Sequence, residues 1–382
     1  MPYKKHYKIL YLSEGYNVYE RRFLDKMVER GHDPLLLSYC SGDILKIDKV
    51  KTIHMPFLGS FVNRRHCHLL TRMCIVNHLR HVIKKFKPDI LHSGYIRFHG
   101  YYGALSGFHP TLSMPWGSDV LMRPDKTEYD MRIVRYTLQH ADMITCDCEL
   151  VKNRIIQLAG CPPEKIVVFP WGVDLMIYRP IEGLSPIREQ IGWQKNDILI
   201  MNRSFEPIYG IEFFLEALPS VFRICPNVRV LMIGKGSLEG KFRSMVEEMK
   251  LSDKVYFMGA VDDQTMVQCL NAADIYVTTS LSDGTSASML EAMACGLPVV
   301  VSDAPVYFEW VQDGINGYIA PRKNSAAVAE RLIELLKNPA KCMDMGRRNL
   351  QIARERADWE LNFDILEEIY ETLLRNRGKK GK

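Results

Sequence analysis

The residues best suited to chemistry are concentrated at 283–298, where the chain reads DGTSASMLEAMACGLP after an apolar run ending in TTS. Two carboxylates, Asp283 and Glu291, flank a turn that holds Gly284 and the hydroxyl residues Thr285, Ser286 and Ser288. Glycine permits close backbone approach, and Ser286 or Ser288 can cap the following helix, SASMLEAMA, and expose its first amides. Unpaired N–H groups at a helix N-terminus, together with the helix dipole, favour a diphosphate. The amides from Thr285 through Ala287 to Ser288 supply that pole. Glu291, five residues beyond Ser286, is placed to accept hydrogen bonds from a ribose diol. Asp283, before the turn, falls on the other side of the phosphates, where it can hold sugar hydroxyls.

A site of this kind needs strands and helices to carry it. The first half alternates short apolar strands (KILYLS, DPLLLSY, PDILHSG, ADMITCD) with longer amphipathic stretches such as YERRFLDKMVERGH. That alternation implies parallel βαβ units. The second half repeats it, with strands DILIMNRS, VRVLMIGKG, KVYFMGA, ADIYVTTS and LPVVVSD, and helices GIEFFLEALPSVFRIC, SLEGKFRSMVEEMKL, DQTMVQCLNAA and SASMLEAMACG. RPIEGLSPIREQIGW, with its prolines and glycines, predicts a linker near 179–197. The expected organisation is α/β, with Rossmann-like parallel-sheet domains at 1–180 and 181–357 and a C-terminal amphipathic helix at about 358–377 crossing back to the first. Ligands gather at the carboxyl ends of parallel strands. Two such domains facing each other would place the site in a central cleft.

Composition agrees with this organisation. A chain of 382 residues, 47% hydrophobic and 25% charged, suits two soluble globular domains. The N-terminal apolar run is only ILYL, and no later stretch is long enough to span a bilayer, so a cytoplasmic protein is expected. The ten cysteines contain no C-x-x-C pair and read as reduced thiols. Asp262 and Asp263 precede a helix, where capping accounts for them, and no metal or cofactor is expected.

Charge is uneven, with 26 Lys and Arg against 17 Asp and Glu in residues 1–180, and all eleven histidines lie there too. Within 61–87, FVNRRHCHLLTRMCIVNHLRHVIKKFK has seven Lys or Arg, four His and no acid. This pattern suits a helix on an anionic membrane face, and equally a helix packed on its own sheet with a solvated basic side. No aromatic platform or helix-turn-helix accompanies the charge, which argues against nucleic acid.

The Asp283 to Glu291 arrangement, with EAMACGLPVV intact after it, resembles glycosyltransferase family 4, whose members carry two glutamates separated by seven residues ahead of such a run. The likeness extends through residues 198–340, taking in VYFMGAVDDQTMVQCLNAADIYV and FEWVQDGINGYIAP. It implies the GT-B fold and a retaining glycosyltransferase that uses a UDP-, GDP- or ADP-sugar. Hydroxyls of a glycan, polysaccharide precursor or lipid-linked acceptor would receive the sugar. NRSFEPIYG resembles the segment in which an Arg and a Lys reach the donor diphosphate. Arg203 holds the Arg position and would bind phosphate through its planar fork. Tyr209 stands where the Lys is expected and brings no charge. Gly234 and Lys235 of IGKGS lie nearby in the motif order, with Lys235 either a replacement cation or a solvated loop lysine.

In the first domain, Gly15 of SEGYNVYERRF matches the family's glycine loop beside donor and acceptor. MPWGSDVL resembles a segment that usually begins HG, with Trp116 in place of His while Gly117 and Asp119 match. Asp119 would contact a sugar hydroxyl or cap the next element. In PWGVDLMIYRP, Trp171 replaces an Asn, and Gly172 and Asp174 would shape a hinge. Two other activities remain open at this point. One is a nucleotide-sugar epimerase of the same fold; the other is an inactive donor-binding partner of another transferase, a reading prompted by Tyr209 and Trp116.

Overall fold

The computed structural model describes residues 6–15, 18–40, 42–44, 46–55 and 69–380. The chain forms two compact units, one of Met1–Phe169 with Asp364–Lys382 and the other of Pro170–Phe363.

The first unit is built on a seven-stranded parallel sheet of β1 (Lys8–Leu12), β2 (Asp33–Ser38), β3 (Lys51–His54), β4 (Ile90–Ser93), β5 (Thr111–Ser113), β6 (Met143–Cys146) and β7 (Ile166–Val168), in the order 3-2-1-4-5-6-7. The central strands are buried along nearly their whole length, as a parallel sheet covered on both faces requires. The helix Leu69–Phe86 lays Ile75, Val76, Leu79 and Val82 onto Leu10, Leu12, Leu35 and Leu37. The last helix, Trp359–Lys380, belongs to this unit from Asp364 onward. Its Tyr370 meets His92 of β4 through a 2.7 Å hydrogen bond, and Glu367 pairs with Arg30 and His32.

The second unit has a six-stranded parallel sheet of β8 (Asp197–Asn202), β9 (Val228–Ile233), β10 (Val255–Gly259), β11 (Ile275–Thr278), β12 (Val299–Ser302) and β13 (Gly317–Ala320), ordered 10-9-8-11-12-13. The order reverses between β8 and β11, the switch point at which doubly wound sheets bind ligands. Its core includes Leu199, Phe205, Phe214, Val230, Val277 and Leu332. The segment 179–197, with its prolines and glycines, lies within this unit. Its short helix Pro186–Gln190 carries Arg188, which reaches Asp274 at 2.7 Å and the Ala272 carbonyl at 2.8 Å. A helix at Pro339–Arg356 follows the family-like region. At Gly172, φ is +82°, and Val173 exchanges backbone hydrogen bonds with Ala357 and Trp359. Asp174 caps the turn after it through the Met176 amide at 2.9 Å.

Candidate active site

The switch-point loops of the second unit bring together most of the residues singled out in the sequence. Strand β8 ends at Asn202, and Arg203 follows directly. Pro207–Tyr209 makes one tight turn before Gly210, whose φ of +54° starts the helix Ile211–Ile224. A side chain at Gly210 would lie 2.6 Å from the Thr279 carbonyl, so only glycine lets the loop after β11 come this close. The two loops are then stitched together: Leu281 N–H donates to the Ile208 carbonyl at 2.8 Å, and the Thr279 hydroxyl to the Gly210 carbonyl at 2.8 Å. This seam carries 283–288 over to Arg203.

Gly234 shapes the same site from beneath. Its φ is +139°, and a Cβ there would stand 2.2 Å from the Arg203 carbonyl oxygen. The loop after β9 wraps the Arg203–Phe205 backbone, with the Phe205 amide donating to the Lys235 carbonyl and the Leu238 amide to the Phe205 carbonyl, both at 2.9 Å. The Lys235 side chain is exposed.

Arg203 is the hub. Its Nη2 donates to Asp283 Oδ2 at 2.6 Å, and its Nη1 to the hydroxyls of Ser286 and Ser288 at 2.6 and 2.9 Å. The guanidinium carbon lies 4.0 Å from the centroid of the Tyr209 ring. Its Nε is buried and finds no partner among the described residues. Burial opposes the charge on this group, but Asp283 outweighs it, and the guanidinium pKa is raised. Burial pushes the Asp283 carboxyl above the ordinary range, opposed by Arg203, the Tyr307 hydroxyl and the Gly284 amide.

Two tyrosines absent from the sequence reading complete the cluster. Tyr307, from the turn Pro305–Glu309, donates to Asp283 Oδ2 at 3.2 Å, and the Tyr276 hydroxyl lies 2.9 Å from that of Ser288. Burial raises the pKa of both. Tyr276 lies within the strand segment ADIYVTTS and Tyr307 just ahead of FEWVQDGINGYIAP, and no local pattern marks either as functional. The Oδ1 of Asn202, the residue before Arg203, is buried without a partner among the described residues.

Ser286 is the N-cap of the helix Ala287–Ala294, its hydroxyl accepting from the Met289 amide at 3.4 Å. The first-turn amides have no intrahelical partner by construction. Thr285 and Ser288 are buried, as is Glu291 further along the same helix. Asp262 caps the helix Asp263–Ala272 through the Thr265 amide at 2.8 Å, and Asp263 accepts from the Tyr178 hydroxyl at 3.0 Å.

Gly15 and Asp119 belong to the first unit, at the carboxyl ends of β1 and β5. Gly15 has φ +80°, and its amide donates to Glu20 at 2.9 Å. Asp119 is fully buried and accepts from the amides of Ile96 at 3.1 Å and Trp116 at 2.9 Å. Of the two roles open for it, the bonds formed are those of a loop-fixing cap. Burial pushes its carboxyl up to about 6 against the pull of these amides. The Trp116 ring packs edge-on against Phe23, with centroids 6.3 Å apart.

Known proteins share this architecture. The model for "Glycosyltransferase Family 4" matches residues 14–176, and that for "Glycosyl transferases group 1" matches 185–351. The phosphatidyl-myo-inositol mannosyltransferase of Mycobacterium leprae is 29% identical over 202 residues, 52% of this chain and 53% of that protein. A D-inositol 3-phosphate glycosyltransferase of Segniliparus rotundus is 28% identical over 244 residues, 62% of this chain and 53% of its own. These matches thus span about half the length of those curated relatives. Among solved structures, HepE of Anabaena, in complex with UDP and glucose, superposes with a TM-score of 0.80 at 18% identity, covering 96% of this chain and 100% of that one. That likeness shows the GT-B fold with its two Rossmann-like domains. With both halves matched by family models and the site motif in place, this chain belongs to glycosyltransferase family 4.

Proposed function

We propose that this protein transfers a sugar from a nucleoside diphosphate sugar to an acceptor hydroxyl, with retention at the anomeric carbon. The observation that carries the reading is the junction of Arg203, Asp283 and the capped N-terminus of Ala287–Ala294 at the switch point of the second sheet. In this reading the diphosphate meets the first-turn amides and Arg203, the ribose diol meets Glu291, and the sugar hydroxyls meet Asp283. Breaking the glycosidic bond builds negative charge on the departing diphosphate. Donors already fixed in place stabilise that charge without reorganising, which is the largest lever such a site has. The departing phosphate oxygen takes the acceptor's proton on the face where the acceptor attacks, so no protein nucleophile is needed.

The acceptor proposed is a glycan, polysaccharide precursor or lipid-linked molecule. The names of the mannosyltransferase relatives, which act on phosphatidyl-myo-inositol, support a lipid-linked acceptor. So does the helix Leu69–Phe86, which exposes Leu70 and Met73 near its start and Arg80, His81, Lys84 and Lys85 further on. Residues 61–68 of the basic stretch lie outside the described residues. No helix among the described residues is long and apolar enough to cross a membrane. Peripheral contact with an anionic cytoplasmic leaflet is therefore the proposed mode.

Incubation with a panel of UDP-, GDP- and ADP-sugars, with and without candidate acceptors, tests the activity. Nucleoside diphosphate release that rises with acceptor, and an α-linked product from an α-linked donor, are the expected results. A new epimer formed without acceptor would overturn the transfer reading, and binding without turnover would mark a donor-binding partner.

A further inference from the structure

Arg203 is fixed on one face as well as along its edges. Hydrogen bonds from Nη1 to Ser286 and Ser288 and from Nη2 to Asp283 set its position within the guanidinium plane. They leave the tilt of that plane to whatever packs against its face, and what packs there is Tyr209, with 4.0 Å between the guanidinium carbon and the ring centroid. An aromatic face attracts a cation through its quadrupole, more strongly where water is excluded, and Arg203 is 8% exposed.

Tyr209 is itself well anchored. It closes the turn Pro207–Tyr209 that the proline starts, its amide donates to the Glu206 carbonyl at 3.0 Å, and its ring packs on the core of the second unit. The contact with Arg203 uses the ring face.

We propose that Tyr209 is a positioning residue for Arg203, its ring holding the guanidinium plane where the leaving diphosphate gains charge. The inference rests on the donor reading above. A lysine at this place would stabilise the leaving group by adding a charge; the ring instead makes one existing charge more effective. A guanidinium that needs no reorientation as the bond breaks meets the developing charge at full strength. The contribution therefore belongs to the transition state more than to the bound donor.

The test uses the full chain with Tyr209→Leu and Tyr209→Phe, each alone and in an Arg203→Ala background. Single-turnover and steady-state donor hydrolysis are measured with the nucleotide sugar that the wild type accepts, alongside calorimetric titration with the matching nucleoside diphosphate. Thermal melting confirms folding, and Tyr209→Met replaces the leucine variant if that one does not fold. Tyr209→Leu is expected to lower kcat by about three- to thirty-fold, the range of a desolvated cation–π contact, with KM changed less. Tyr209→Phe, which keeps the ring, should recover most of the loss. In the Arg203→Ala background, the leucine substitution should change the rate by less than about two-fold, because the group it acts through is gone.

Wild-type kcat in Tyr209→Leu overturns the proposal. So does an equal loss in Tyr209→Phe, which would make the hydroxyl the working group, or a full loss that persists without Arg203. A wild type that neither binds nor hydrolyses any nucleotide sugar removes the donor reading and this inference with it. That outcome is distinct from an active wild type indifferent to Tyr209.

Discussion

Asp283→Asn separates the charge of the Arg203 pair from its shape. The side chains of Arg203 and Asp283 are 8% and 15% exposed and 2.6 Å apart, so the asparagine leaves a buried cation without its counter-ion. Breaking a buried pair outright costs about 3–5 kcal/mol. Asparagine keeps one acceptor oxygen for Arg203 and Tyr307, so the expected loss is smaller, about 2–3 kcal/mol. For a unit of this size each kcal/mol moves the melting temperature by about 2–4 °C, which predicts a fall of about 4–12 °C. The assay is calorimetric melting with and without nucleoside diphosphate. A ligand at about a hundred times its Kd stabilises by about 2.7 kcal/mol. In the variant, the phosphates also supply the missing anion, so added nucleotide should raise its melting temperature by several degrees more than it raises that of the wild type. An unchanged melting point would show that the pair does not form in solution. Equal nucleotide shifts in both proteins would show that the diphosphate never meets Arg203.

Glu291→Gln should weaken nucleoside diphosphate binding by about 1–3 kcal/mol in titration calorimetry, the value of a charged hydrogen bond; unchanged affinity would remove the ribose role. Gly234→Ala should cost both melting temperature and donor hydrolysis, because its Cβ would sit 2.2 Å from the Arg203 carbonyl oxygen and the loop must move; wild-type behaviour in both would contradict the geometry. His99 is buried, neither ring nitrogen has a partner among the described residues, and burial holds its pKa down at about 4, below the 6.5 of the unfolded chain. The unfolded chain therefore binds the extra proton first as pH falls. The stability that neutral His99 allows is complete above pH 6.5 and is lost progressively down to about 4. His99→Phe, which keeps a ring beside Tyr39, should gain on the wild type by up to about 3 kcal/mol across that window in urea titrations, and a pH-independent difference would refute the assignment.

Much of the second unit was legible because its signals are local. Gly284, the serine cap and Glu291 lie within nine residues of one strand–turn–helix segment, and their spacing alone places a carboxylate and a set of amides on one helix. Five of the six strands of that unit, β8 to β12, announce themselves by continuous apolar runs. Strand β7 has only three residues and too little periodicity to read. The helix Pro339–Arg356 is rich in charge and buries only a narrow stripe, Met345, Gly346, Asn349 and Ala353, of which Asn349 is polar.

The sequence by itself determined the alternating βα architecture, the identity of the capped helix and the presence of Arg203 and Asp283 as candidates. Tertiary structure alone decided what these groups do to one another. Arg203 and Asp283 are eighty positions apart, and only the register of β8 beside β11 makes them a pair. Tyr209 reads in the sequence as a missing cation, and in the fold as the surface under the remaining one. Tyr276 and Tyr307 join the site from a strand and a turn that carry no functional pattern. Asp119 reads in the sequence as able to bind a hydroxyl or the backbone, and only the fold brings the amides of Ile96 and Trp116 to its carboxylate. Hydrophobic periodicity and capping act over a few residues, so they survive in one dimension. Ion pairs, ring stacking and burial depend on which strand edges lie side by side, and that is fixed only when the sheet closes.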